Sequence, residues 1–178
     1  KWIFKIKRHG KFRAWLVALG YTQIGGIDYI YNFAPVIKDE TFRMCLVLEK
    51  IKGWRCYIIN VKTAFFDGDL DKSNFMTKPI GYDEIVEELL KRGILSKEEA
   101  ETIDEDTVLE LLKTLYGLVQ AARMWYKDIN KLLMETGYKK CLANPCLFYR
   151  NNELGESILV LYVDDLFGIG DEEDIDNT

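Results

Sequence analysis

The stretch ILVLYVDDLFGIG, Ile158 to Gly170, sets two adjacent aspartates, Asp164 and Asp165, in the most apolar part of a 178-residue chain. Both arms are apolar at consecutive positions. As strands they present apolar side chains on both faces, so a covering layer is needed on each side. The carboxylates then fall at the tight turn between the strands. A polar hairpin tip accounts for them, because turns favour aspartate. A cation site accounts for them equally: neighbouring carboxylates raise each other's pKa unless a divalent ion neutralises them. Hard oxygen ligands of this kind hold Mg²⁺ against substrate phosphates. On residue chemistry alone the two readings stay open.

The rest of the chain alternates between strand and helix patterns. Trp2 to Ile6 and Phe12 to Ala18 alternate around His9–Gly10 and predict a β-hairpin. Helical spacing over DETFRMCLVLEKIK ends at Gly53. WRCYIINV reads as a strand, and KTAFFDGDLDKSN as an acidic turn. YDEIVEELLKRG predicts an amphipathic helix stopped by Gly93, and Ser96 with Glu99 a capping box for a short helix after it. Trp125, Ile129, Leu132 and Leu133 predict one buried stripe on a helix that ends at Gly137. Strands close the chain, from Cys146 to Arg150 and on either side of the aspartates. This mixture predicts an α+β fold.

Composition removes several classes. No apolar run reaches the roughly 20 residues that span a bilayer, and the N-terminus has no signal-peptide pattern, so a cytoplasmic or nuclear protein without membrane contact is expected. Cys45, Cys56, Cys141 and Cys146 form no CxxC pair, and His9 is the single histidine, which argues against zinc. A net charge of −5 is an unusual balance for a nucleic-acid binder. The chain starts within an apparent strand and ends in DEEDIDNT, which reads as a fragment of something longer.

The aspartates sit in Tyr162–Val163–Asp164–Asp165, which looks like the YxDD box of reverse transcriptases. WIFKIKRHGKF, LVALGYTQIGGIDYIYNFAPV, INVKTAFFDGDL, FMTKPIGY, LYGLVQAARMWY and ANPCLFYRN precede it in order. Together these blocks resemble the reverse transcriptase domain of copia-type LTR retrotransposons, over nearly the whole chain apart from an acidic helical insert around residues 82–107. The resemblance implies a right-hand polymerase fold with an antiparallel palm sheet and packed helices. Fingers are expected at about 1–53 and 71–118 and the palm at about 54–70 and 119–174, within one fingers–palm fragment over 1–178 that lacks the thumb. It also implies nucleotidyl transfer onto an RNA or DNA template-primer from deoxynucleoside triphosphates, with two Mg²⁺ ions or Mn²⁺ in their place. Asp164 and Asp165 carry over as metal ligands. Phe65 matches a steric gate against the ribose 2′-hydroxyl. The backbone of Thr63 and Ala64 is expected to face the triphosphate and Arg13 to reach it, while Tyr116, Gly117 and Gln120 fall in the block that lines the nucleotide pocket. Trp125 is expected to pack the palm helix.

The departures bear on activity. Asn60 stands where the family has a third catalytic aspartate, and an amide offers one neutral oxygen where a bridging carboxylate is needed. Asp67, Asp69 and Asp71 lie past the strand end and are not expected to replace it. DGDLDKSNFMTK also fails as a calcium loop, with Lys72 and Lys78 where Gly and Glu are required. Trp15, Leu19, Glu110, Leu112 and Val119 replace basic residues, and Ala122 replaces a proline. Five lost charges predict weakened nucleic-acid binding and would explain the acidic balance. The expected function is therefore an RNA-directed DNA polymerase domain impaired at Asn60, with a catalytically dead relic or a reused binding domain as the alternative. The insert could also serve as a partner-binding helical pair.

Overall fold

A computed structural model describes residues 1–66, 68–104 and 106–175. The elements in the first half of the chain are β1 (Trp2–Ile6), β2 (Phe12–Leu16), α1 (Asp39–Lys52), β3 (Arg55–Asn60) and β4 (Asn74–Thr77). There follow α2 (Tyr82–Lys91), α3 (Lys97–Glu101), β5 (Val108–Leu111), α4 (Ala121–Glu135), β6 (Lys139–Lys140), β7 (Leu147–Asn152), β8 (Gly155–Tyr162), β9 (Asp165–Gly170) and α5 (Glu172–Ile175). They form two compact units, Lys1–Tyr31 with Asp69–Ala121 and Asn32–Gly68 with Ala122–Thr178.

The second unit holds the aspartates. Its antiparallel sheet has the order β3-β9-β8-β7-β6. Leu159 and Leu161 point from β8 into a cluster with Trp125, Ile129 and Leu133 of α4. Val160, between them, joins Ile169 and Cys45 of α1 in a second cluster. Both faces of the aspartate hairpin are thus covered, which is why its strands are apolar without alternation. Each fully buried Leu or Ile here contributes about 1.5–3 kcal/mol. Phe42 of α1 meets Phe167 edge-on, with ring centroids 5.1 Å apart. These contacts join α1 to the sheet within the second unit. Gly168 is dictated by close approach, because a Cβ there would lie 2.2 Å from the Tyr57 ring across the strand pair.

One core expectation is corrected. Leu132 is 53% exposed. The sheet follows the i, i+4, i+8 ridge of Trp125, Ile129 and Leu133, which rotates about 40° per step and leaves Leu132 behind it. Phe33 is 74% exposed and Tyr162 56%. Tyr162 ends its strand at the turn.

In the first unit β1 and β2 pair with Lys5 opposite Arg13 and Ile6 opposite Phe12. Side chains alternate, so Lys5, Lys7, Lys11 and Arg13 share one face and Phe4, Ile6 and Phe12 the other. β4 and β5 form a two-stranded sheet closed around the insert. The capping box is present: Glu99 N–H donates to Ser96 Oγ at 3.1 Å and Ser96 N–H to Glu99 Oε2 at 2.9 Å. No described helix is long and apolar enough to cross a membrane.

Candidate active site

β8 and β9 pair Tyr162 with Asp165, which leaves Val163 and Asp164 as a two-residue connection. β3 lies on the other side of β9, in a register that sets Asn60 directly opposite Asp165. Asn60 Nδ2 donates to Asp165 Oδ1 at 2.5 Å. Two further hydrogen bonds reach the turn backbone. Val61 N–H donates to the Asp164 carbonyl at 3.0 Å, and the Trp125 indole N–H donates to the Val163 carbonyl at 2.7 Å. Asp164 and Asp165 are half-buried and Asn60 is exposed, so the carboxylates open towards solvent at the end of the sheet.

Among the described residues only two that are not glycine have a positive φ: Thr63 at 60° and Val163 at 54°. Both are β-branched, the side-chain class least suited to that region. Each conformation costs on the order of 1–3 kcal/mol, and such strain gathers at functional sites. Thr63 opens a 3₁₀ turn, Ala64–Phe66, directly after β3. Ala64 is fully buried in the α4 cluster, and Phe65 is half-buried against it. Phe65 also lines a cavity of about 410 Å³ with Phe33, Pro35, Trp125, Leu161 and Val163. This unit therefore gathers Asn60, Thr63, Ala64, Phe65, Asp164 and Asp165 around one end of its sheet.

A family model described as "Reverse transcriptase (RNA-dependent DNA polymerase)" matches residues 1–177. The chain belongs to the reverse transcriptase family. It is 32% identical over 179 residues to the Retrovirus-related Pol polyprotein from transposon TNT 1-94 of Nicotiana tabacum, which covers 97% of this chain and 12% of that protein. It is 30% and 29% identical to the Pol polyproteins from transposons RE1 and RE2 of Arabidopsis thaliana, with 97% of this chain and 11% of each relative covered. The chain thus spans about a tenth of the length of these curated relatives, and the copia-type resemblance agrees with their transposon origin. No solved structure matches it.

The other positions that the resemblance singles out, Arg13, Tyr116, Gly117 and Gln120, belong to the first unit. The Arg13 guanidinium stacks over the Trp15 ring at 4.7 Å, a cation–π pair between neighbours on one face of β2. The Tyr116 carbonyl accepts from Ala18 N–H at 2.7 Å. Gly117 has φ +93°, and a Cβ there would lie 2.3 Å from the Ala18 carbonyl oxygen, so only glycine fits. Gln120 is buried, and its Nε2 donates to Asn74 Oδ1 at 3.3 Å. Asn74 also accepts from Gln23 Nε2 at 2.8 Å, so Gln120 ends in a network internal to this unit.

Reverse transcriptases generally use Mg²⁺. The donors converging here are two carboxylates and one amide, and the amide presents its N–H to Asp165. Among the described residues no three His, Cys, Asp or Glu side chains gather as a metal cluster. This set does not fit two bridged divalent ions. Asp69 and Asp71 belong to the first unit, where Lys113 Nζ pairs with Asp69 Oδ1 at 2.5 Å. Asp67 lies outside the described residues. Trp125, expected only to pack the palm helix, also donates its indole N–H to the Val163 carbonyl. Its buried stripe is visible in the periodicity, whereas the hydrogen bond from its ring edge leaves no trace there.

Proposed function

We propose that this chain is the fingers and palm of a copia-type reverse transcriptase whose nucleotidyl-transfer site is impaired by Asn60. The sheet unit corresponds to the palm and the hairpin unit to the fingers. One observation carries the reading: Asn60 is in register with Asp165 and donates to its carboxylate at 2.5 Å. A carboxylate at that position would make a third anionic ligand on the same strand ends. An amide there removes a full negative charge and occupies a lone pair of Asp165 with its own N–H. Loss of one fixed transition-state contact costs roughly 10²–10³ in rate, and loss of a bridging ligand at least that. Phe65 would exclude a ribose 2′-hydroxyl by shape, and Thr63 and Ala64 would present backbone amides to the triphosphate.

A second reading, a binding domain that keeps the fold without the chemistry, is favoured by the hairpin. Residues 1–13 carry six Lys and Arg and no acidic residue. Four of those cations share one face of the hairpin, a surface suited to phosphate contact.

Primer extension on an RNA template with Mg²⁺ or Mn²⁺ tests the proposal. The unaltered chain is expected to match its Asp164→Ala variant, and Asn60→Asp to exceed both by roughly 10² or more. Extension by the unaltered chain as fast as by Asn60→Asp would dismiss the impairment. An Asn60→Asp chain no better than the Asp164→Ala control would reject a simple point lesion.

A further inference from the structure

We propose that Trp125 is a positioning residue for the aspartate turn, holding its central peptide in one orientation through the indole N–H. The role in catalysis rests on the polymerase reading above, whereas the effect on the turn does not.

A two-residue hairpin connection has one central peptide, here the one joining Val163 to Asp164. Rotating that peptide by half a turn exchanges one tight-turn type for another without breaking the strand pairing, because it changes only ψ of the first residue and φ of the second. Such a rotation would redirect the Asp164 side chain. The oxygen that swings with this peptide is the Val163 carbonyl, and that oxygen accepts the Trp125 N–H at 2.7 Å. The next carbonyl, of Asp164, accepts from Val61 N–H at 3.0 Å.

The hold matters because the turn is strained. Val163, β-branched and half-exposed, has φ +54°, a conformation ordinarily given to glycine or asparagine at this position. Strain of this kind persists only when the surroundings over-determine it. Trp125 is suited to the task, since it is 6% exposed and locked in the cluster of Ile129, Leu133 and Leu161. The indole N–H is a donor without an acceptor role, so within that apolar setting its one bond goes to the turn. Phenylalanine would fill most of the same volume and leave the carbonyl unheld.

Amide hydrogen exchange on the full chain tests this. In Trp125→Phe, exchange at Val61 and Asp165 should speed up roughly fivefold, as loss of one hydrogen bond implies. That change should exceed any at Phe148 and Leu159, in the middle of the same sheet. Leu133→Ala, which removes core volume from the same helix but keeps the donor, should affect all four amides alike. Turn amides that respond in Trp125→Phe no more than Phe148 and Leu159 would overturn the proposal. Should Trp125→Phe not fold, the unaltered chain still decides it: the Trp125 indole proton must exchange more slowly than that of Trp15, and equal rates would overturn the proposal. In an Asn60→Asp background, Trp125→Phe should also weaken Mn²⁺ binding roughly fivefold. If Asn60→Asp binds no Mn²⁺ while the turn amides respond as described, the metal reading fails and the positioning role stands.

Discussion

At position 60 an amide N–H faces the Asp165 carboxylate, and an aspartate there would set three negative groups around one turn. The amide therefore does in the folded chain part of what a cation would do: it offers a positive partner to Asp165. Replacing it has a sign that can be stated in advance. Asn60→Asp should lower the melting temperature in chelator by roughly 2–4 °C, through like-charge repulsion and a lost hydrogen bond. Millimolar Mg²⁺ should restore it, whereas the unaltered chain should respond little. Thermal melts with and without Mg²⁺ check this, and a metal-independent melting temperature for Asn60→Asp would count against a shared site. At this scale the sequence was legible where chemistry resides in residue type, as with Asp164, Asp165 and Asn60. It was silent where chemistry resides in conformation. Valine is not the residue that suggests positive φ, so neither the strained turn nor its indole clasp could be read from the letters.

Among the elements, the hairpin arms, α1, α2, α4 and the capping box were readable because period and end signals coincide in each. β4 and β5 were not: each has four residues, and they pair across the insert. The acidic tail was also misleading. Asp174, within α5, is fully buried, and its carboxylate takes Arg150 Nη2 at 2.9 Å and Asn152 Nδ2 at 2.8 Å. Arg150 in turn stacks over Tyr138 at 4.5 Å, and the Tyr138 hydroxyl is 3.0 Å from Ser157 Oγ. Burial alone would raise the Asp174 pKa, but hydrogen bonds from Arg150, Ser157 and Asn152 and the Arg150 charge hold it below the usual carboxylate range. Removing the cation leaves an uncompensated buried charge, so Arg150→Met should cost about 3–5 kcal/mol in urea unfolding near neutral pH. Because the folded pKa is depressed, the ion pair's contribution is fully present above the unfolded value near 4. It is lost as pH falls through the folded value. The difference between the two chains should therefore narrow on acidification below about pH 4. A gap that stays constant into acid would assign the loss to packing instead.

For the molecule as a whole, the net charge of −5 misrepresents the surface. Residues 82–107 carry ten acidic and three basic residues, whereas residues 1–13 carry six basic and none acidic. The insert thus contributes to the acidic balance alongside the substitutions at Trp15, Leu19, Glu110, Leu112 and Val119. Charge is segregated along the chain, and a whole-chain sum cannot speak for a single surface. The family was legible from ordered blocks, since six motifs in sequence specify a fold more tightly than any single box does. The impairment we propose is local, at the strand ends where Asn60 meets Asp165. Mn²⁺ titration followed by electron paramagnetic resonance measures that difference directly. Asn60→Asp should bind Mn²⁺ more tightly than the unaltered chain by at least the roughly 10–100-fold that even an outer partner of a metal site contributes. Asp164→Ala in the same background should abolish the gain. Equal Mn²⁺ affinity with asparagine and with aspartate at position 60 would contradict the account.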